Sequence, residues 1–186
     1  MILNYSYALF PTKEQLACLE RTLHICRHTY NSALLDKQNY YNKNKKNYPR
    51  TKLQKQLVMD KKKYAPLKSI HSQPLQEVFF RLEKAYKNFF EQRAKYPKIK
   101  KAKDYHSFTY TQFGVKNVHP KTGKPSFYGA HFDEEENLFL SKIGSIKIFL
   151  HRPIDGAIRQ VVIKRKGRRW FAIFRQLRKY KYFLTA

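Results

Sequence analysis

The sequence predicts an α+β fold: a small antiparallel β-barrel, OB-like in type, interrupted by an inserted helical lobe. Three observations predict it. Residues 2 to 9 alternate as a strand, residues 12 to 90 carry apolar stripes at helical spacing, and from His106 onward period-two alternation returns between turn residues. A lone first strand followed by helices finds partners only among the later strands, so the helices read as an insertion.

The first strand places Leu3, Tyr5, Tyr7 and Leu9 on one face, and Pro11 stops it. Thr12-Lys13-Glu14-Gln15 fits a capping box, in which the Thr hydroxyl and the Gln side chain satisfy orphan N–H groups. Leu16, Leu19, Leu23, Cys26, Tyr30 and Leu34 then recur at steps of three and four, one apolar stripe on a long helix. The stretch Tyr40 to Lys46 is too rich in Asn and Lys to continue the stripe, and Pro49 closes it. A shorter helix is expected over Thr51 to Lys63 with Leu53 and Leu57 inward, and Pro66 breaks it. Ser72 is expected to cap a third helix, with Pro74 tolerated in the first turn. Leu75, Val78, Phe79, Leu82, Ala85, Tyr86, Phe89 and Phe90 form its apolar face.

At Lys95 the character changes to a basic linker. Beyond it, Phe108, Tyr110 and Gln112 face one way and Ser107, Thr109 and Thr111 the other. After a turn-rich stretch, strands are expected at 137–140, 146–150, 157–165 and 169–175. Lys166-Gly167-Arg168 supplies the hairpin turn between the last two.

Charge bounds the function. The 186 residues hold 39 Lys and Arg against 13 Asp and Glu, a formal net charge of +26. Self-repulsion on that scale opposes compaction, so a polyanionic partner is the natural complement. With 16% aromatic residues the chain is too aromatic for a disordered basic tail. Cys18 and Cys26 lack CxxC spacing and read as two small buried thiols. No long apolar run and no basic leader occur, so no membrane partner and a cytoplasmic location are expected.

Basic residues interleaved with aromatics suit nucleic acid, because cations neutralise phosphates while rings stack bases. The phosphate-binding candidates are Lys95, Lys98, Lys100, Lys101 and Lys103 in the linker, Arg152, and Lys164, Arg165, Lys166, Arg168 and Arg169 at the final hairpin. A merely solvated basic face is the competing reading. Asp133-Glu134-Glu135-Glu136 is the only acidic run, and consecutive carboxylates in one turn point apart, so it reads as a solvated loop rather than a metal site. His24 and His28 have the i, i+4 spacing of a zinc helix but no accompanying ligand pattern.

A set of collinear motifs is more specific. Phe10 to Gln15, Arg27 to Asn31, Ser72 to Gln76, Leu82 to Phe90, Tyr96 to Lys100, Ser107-Phe108, Ser141 to Lys147, His151 to Gly156 and Arg169 to Ala172 together resemble the OrfB (TnpB) transposase-like family of insertion sequences, over roughly residues 1 to 174. The resemblance implies a compact relative of RNA-guided CRISPR nucleases. In that family a barrel-like wedge domain, interrupted by a helical recognition lobe, precedes a RuvC-type nuclease domain. The front half binds a guide-type non-coding RNA and reads a short transposon-adjacent DNA motif, while base pairing reads the rest.

The departure falls at the end. The family's last wedge strand is followed by an acidic stretch and a glycine-flanked Asp, whereas here Arg175 to Ala186 is basic and aromatic. The expectation is a chain truncated before the nuclease domain, by frameshift, decay or design. It would have no catalytic residues and no cofactor of its own, the family's divalent metal and zinc belonging to the missing C-terminal half. The expected organisation is a first barrel strand over 1–11, a helical lobe with a helix-turn-helix-like start over 12–94, the linker over 95–105, the remaining strands over 106–175 and a divergent tail over 176–186.

Gln73 and Gln76 lie three apart, on one face near a helix start, and their mixed donor and acceptor amides can address base edges. With the resemblance placing the lobe against the adjacent-motif duplex, Tyr48, Gln73, Gln76, Thr111 and Gln112 are the candidate DNA-reading residues. Capping or simple solvation is the alternative for both glutamines. Two other functions remain open: a stand-alone regulator using the Thr12–Tyr30 region as a helix-turn-helix reader, and a basic structural RNA-binding protein. Oligomeric state is not legible.

Overall fold

The computed structural model describes residues 2–154 and 156–177. β1 (Ile2–Phe10) leads into four helices, α1 (Lys13–Asn44), α2 (Arg50–Lys63), α3 (Ala65–Lys68) and α4 (Ser72–Phe90). The chain then returns as strands: β2 (Ser107–Tyr110), β3 (Val115–Val118), β4 (Pro125–Phe127), β5 (Ala130–Phe132), β6 (Leu138–Leu140), β7 (Gly144–Phe149), β8 (Ala157–Lys166) and β9 (Arg169–Leu177).

Seven strands form one antiparallel sheet in the order β2-β8-β9-β1-β7-β6-β5, so β1 sits between β9 and β7, as the expected insertion requires. Its alternation holds: Tyr7 and Leu9 are buried and Phe10 is exposed. Trp170, Ala172 and Phe174 of β9, Val161 and Ile163 of β8, and Phe108 and Tyr110 of β2 complete the buried row. Gly167 at φ 58° and Arg168 make the β8–β9 turn, where a left-handed residue matches the strand twist.

The expected barrel is not closed by a strand ladder. Among the described residues, β2 and β5 are free edges of an open order. The chain leaving β2 nevertheless bonds to the β5–β6 side of the sheet. The Gly114 N–H donates to the Ala130 carbonyl at 2.8 Å, the Tyr128 N–H donates to the Gly114 carbonyl at 2.9 Å, and the Tyr110 hydroxyl donates to the Ser141 carbonyl at 2.8 Å.

The capping box at the start of α1 is present: Gln15 N–H donates to Thr12 Oγ1 at 3.3 Å, and Thr12 N–H donates to Gln15 Oε1 at 3.0 Å. Leu19, Leu23, Cys26, Tyr30 and Leu34 are buried, whereas Leu16, in the first turn, stays 39% exposed. Cys18 is half-buried and Cys26 buried, and both are free thiols. The Asn- and Lys-rich stretch does not end α1, which runs to Asn44 before Lys45 caps it in the left-handed region; Tyr40 packs on Tyr48 at 4.9 Å and gives the polar segment tertiary support. No turn interrupts Lys13–Asn44, so the Thr12–Tyr30 region lies within one continuous helix. Ser72 is the first residue of α4 rather than its cap; His71 Nδ1 accepts the Gln73 N–H at 3.3 Å instead.

Leu53 and Leu57 face inward from α2 as expected, while Pro66 opens the short α3 rather than merely breaking the chain. In α4, Leu75, Val78, Phe79 and Leu82 are buried, each contributing about 1.5–3 kcal/mol by leaving water, but Phe90 is 74% exposed. Burial on β2 departs from simple alternation because Arg81 of α4 covers the second face. Its Nη2 donates to Thr109 Oγ1 at 3.0 Å and its Nη1 to the Ser107 carbonyl at 2.7 Å. β2 ends at Tyr110, so Thr111 and Gln112 lie beyond the strand. The β3–β4 hairpin and β5 were not foreseen, and β9 runs to Leu177, two residues past its expected end. Residues 178–186 of the expected divergent tail lie outside the described residues.

Candidate nucleic-acid interface

The start of α4 and the exit of β2 are built as one unit. His71 stacks on Tyr110 with centroids 5.5 Å apart. Gly129 passes so close that a Cβ there would sit 2.6 Å from the imidazole, so the approach requires glycine. Gln73, on the first turn of α4, then meets Gln112. Gln73 Nε2 donates to Gln112 Oε1 at 2.9 Å, and the Gln112 backbone N–H donates to Gln73 Oε1 at 3.4 Å. Each amide keeps N–H capacity after this exchange. Gln76, three residues along α4, and Thr111, beside Gln112 in the chain, are both exposed. Two of the five candidate reading residues are thus in contact, and two more adjoin them.

Tyr48 is engaged elsewhere. Lys52 lies 5.3 Å from the Tyr40 ring and 5.9 Å from the Tyr48 ring, and Lys37 Nζ donates to the Tyr48 carbonyl. Tyr48 lines a cavity of about 800 Å³ that also holds Asp36 and Asp60. Burial, then Asp60, push the Asp36 carboxyl above its ordinary range.

The linker is clipped to α1 through its backbone. The Lys100 N–H donates to Asn31 Oδ1 at 2.8 Å, and the Lys100 carbonyl accepts from Asn31 Nδ2 at 3.0 Å and from Arg27 Nη1 at 3.3 Å. Upstream, Tyr96 packs edge-on against Tyr86 and Phe89 at 5.7 and 5.1 Å. Lys95, Lys98, Lys101 and Lys103 are exposed along this fastened segment, and Lys100 is half-buried.

At the β8–β9 hairpin the candidates divide. Lys166, Arg168 and Arg169 are exposed. Lys164 is half-buried and lines a cleft of about 310 Å³ with Lys100, Arg81, Tyr105 and Ser107. Arg165 is neutralised: its Nη1 donates to both Glu20 oxygens, at 2.9 and 2.7 Å, tying the hairpin to α1. Arg152 lies 4.5 Å over the Tyr5 ring, and its carbonyl accepts from the Tyr7 hydroxyl at 3.2 Å.

Arg81 was missed from sequence, where it reads as one more polar residue on an amphipathic helix. It pairs with Glu77 at 2.6 Å and lies 5.6 Å over the Tyr105 ring. Burial raises the Glu77 carboxyl, and Arg81 offsets only part of that. Burial likewise pushes the Cys26 thiol up to about 12, which removes it as a nucleophile. His24 and His28 approach to 3.1 Å between Nε2 atoms, with Arg27 Nη2 3.0 Å from the His28 ring. Among the described residues no cluster of three or more His, Cys, Asp or Glu is placed to hold a metal ion. Asp133 to Glu136 form the β5–β6 turn, with Asp133 Oδ1 accepting the Asn137 and Glu135 N–H groups. No described helix is long and apolar enough to cross a membrane.

Residues 1–46 match the family model of the OrfB-type helix-turn-helix domain. Over 170 residues the chain is 29% identical to a protein of Escherichia coli (strain K12) provisionally named RNA-guided DNA endonuclease InsQ, covering 90% of this chain and 38% of that protein. It is 34% identical over 101 residues to a provisionally named RNA-guided DNA endonuclease of Streptomyces pristinaespiralis, covering 53% of this chain and 25% of the relative. The chain thus spans well under half the length of these curated relatives. A chain in a cryo-EM structure of a Cas12f1–sgRNA–target DNA complex aligns with a TM-score of 0.49 at 11% identity, over 97% of this chain and 49% of the other.

Proposed function

We propose that this chain, similar to OrfB/TnpB-type proteins, is the nucleic-acid-binding front portion of a transposon-encoded, RNA-guided DNA endonuclease, holding a guide-type RNA and the transposon-adjacent DNA. Its curated relatives are named for that activity, and its charge of +26 calls for a polyanionic partner. In this reading the sheet is the wedge-type, OB-like barrel and α1 to α4 are the recognition lobe. This portion supplies binding and positioning, and no step of strand cleavage is assigned to its residues.

The contact between Gln73 and Gln112 carries the assignment of DNA reading. It joins the lobe to the sheet and holds two carboxamides in one place, so that amide N–H groups are presented from both elements. Gln76 and Thr111 extend that surface. Tyr48 then supports the lobe from between α1 and α2 rather than touching a base. The exposed Lys95, Lys98, Lys101, Lys103, Lys166, Arg168 and Arg169 hold phosphates, with Lys100, Lys164 and Arg152 in supporting positions.

The test is selection of bound duplexes from a randomised DNA library, alongside sequencing of the RNA that co-purifies with the protein. The wild type is expected to enrich a short motif, and Gln73→Ala, Gln76→Ala and Gln112→Ala to relax it. If the motif survives all three substitutions and only overall affinity falls, the glutamines hold phosphates or the fold, and the assignment fails.

A further inference from the structure

The sheet has a second face, opposite the buried row, and its register defines what lies there. One row across the strands reads Phe149 of β7, Ala8 of β1, Phe171 of β9, Lys164 of β8 and Ser107 of β2. The next reads Ser6, Ile173, Val162 and Thr109. On the other side, Lys147 opposes Phe10 and Lys166 opposes Arg169.

Two properties make this face unusual. Its rings are not packed away: Phe149 is 59% exposed and Phe10 57%, while Phe171 is half-buried with the Lys166 ammonium 5.5 Å from its centroid. With Ala8 between them in the row, Phe149 and Phe171 stand about 10 Å apart, two strand spacings. Between the two rings the row carries only the methyl group of Ala8. The strands β1, β2, β7, β8 and β9 contain no Asp or Glu, and at the β2 end, which Arg81 of α4 covers, the Glu77 carboxylate is paired with that guanidinium. Lys147, Lys166, Arg169 and Arg175 are exposed on or beside it.

We propose that this face is a platform for single-stranded nucleic acid, on which Phe149 and Phe171 stack unpaired bases while Lys147, Lys166, Arg169 and Arg175 hold the phosphates. A cation row alone would serve a duplex equally well. Exposed rings interleaved with cations favour a strand whose bases are unpaired, since every base has a face to stack and a duplex hides those faces. Cationic strands without a carboxylate match a polyanion and repel a basic surface. The inference rests on the nucleic-acid reading above and adds which form is held, and where.

The experiment measures anisotropy with labelled single strands of about 12 nucleotides, RNA and DNA, and a blunt duplex of the same sequence. Wild type is compared with Phe149→Leu, the Phe149→Leu/Phe171→Leu pair and Phe149→Trp, with thermal unfolding by circular dichroism as the folding control. Leucine keeps the face apolar but removes the ring. The double variant is expected to bind the single strands roughly tenfold more weakly or worse, with duplex affinity held within about twofold, and Phe149→Trp to retain single-strand binding. The RNA and DNA arms show which strand is preferred. Equal losses on both probes, or no loss on either, overturn the platform and leave general nucleic-acid binding intact, the face then serving a protein surface or the phosphate backbone. Wild type that binds no probe overturns the underlying reading instead. If the double variant unfolds, Phe149→Leu alone decides, since that ring is mostly in solvent.

Discussion

Arg165 and Glu20, 145 residues apart in sequence, form an ion pair in which one guanidinium nitrogen meets both carboxylate oxygens at 2.9 and 2.7 Å. The pair fastens the β8–β9 hairpin to α1 and takes one cation out of the basic surface. Both partners are partly solvated, so its worth is that of a screened surface pair. Glu20→Gln is expected to cost about 0.5–1 kcal/mol, read from the urea midpoint of Trp170 fluorescence. It also frees a positive charge beside Lys166 and Arg168, so the salt dependence of nucleic-acid binding is expected to steepen by about one phosphate. An unchanged salt slope would show that Arg165 does not face the polyanion.

Binding to duplex DNA is expected to weaken steeply with salt. If Lys95, Lys98, Lys101, Lys103, Lys166, Arg168 and Arg169 each meet a phosphate, the slope of log K against log salt is about −6. Lys98→Ala combined with Lys101→Ala should reduce its magnitude by about 2. A slope near zero in the wild type would remove these residues from the interface.

Stability is expected to fall in mild acid through His71. Its Nδ1 accepts the Gln73 N–H, a role open only to the unprotonated nitrogen. Burial, then the charges of Lys61 and Lys142, hold its pKa below the ordinary histidine value. A folded pKa below the unfolded one means stability that is full above the unfolded value and is lost as pH falls through the folded one. Burial, His24 and Arg27 shift His28 in the same direction. Urea midpoints at about pH 7.5 and 5.5 should therefore differ, and His71→Asn, which can still cap the helix, should narrow the gap. A gap unchanged by that substitution would assign the acid sensitivity to other groups.

The same helix start shows what could be read from sequence and what could not. Local chemistry was legible: Thr12 and Gln15 form their capping box, the Leu75–Val78–Phe79–Leu82 face is buried, and the Gly167 turn joins the strands it was expected to join. Errors arose where distant contacts overrule local preference. Asn42 to Asn44 stay helical although nothing apolar calls for it, with Tyr40 anchored on Tyr48 close by. His71 replaces Ser72 as a cap because Tyr110 and Gly129 fix the imidazole. Ala130 to Phe132 is too short to show a period, and it is a strand because Phe139 and its neighbours pair with it. The Gln73–Gln112 and Arg165–Glu20 contacts span 39 and 145 residues, so no spacing rule could find either.

The clip between Asn31 and Lys100 has a kinetic meaning. A free lysine-rich segment must lose about 1–2 kcal/mol of backbone freedom for each residue it orders on a ligand. Here the main chain around Lys100 is already held by Asn31 and Arg27 before any ligand arrives. On the proposed nucleic-acid reading, the cations at Lys98, Lys101 and Lys103 would therefore meet an incoming strand at a preset spacing, as teeth on a fixed comb rather than beads on a slack thread. Loosening the clip, by Asn31→Ala, would shorten the lifetime of the complex without removing a single charge.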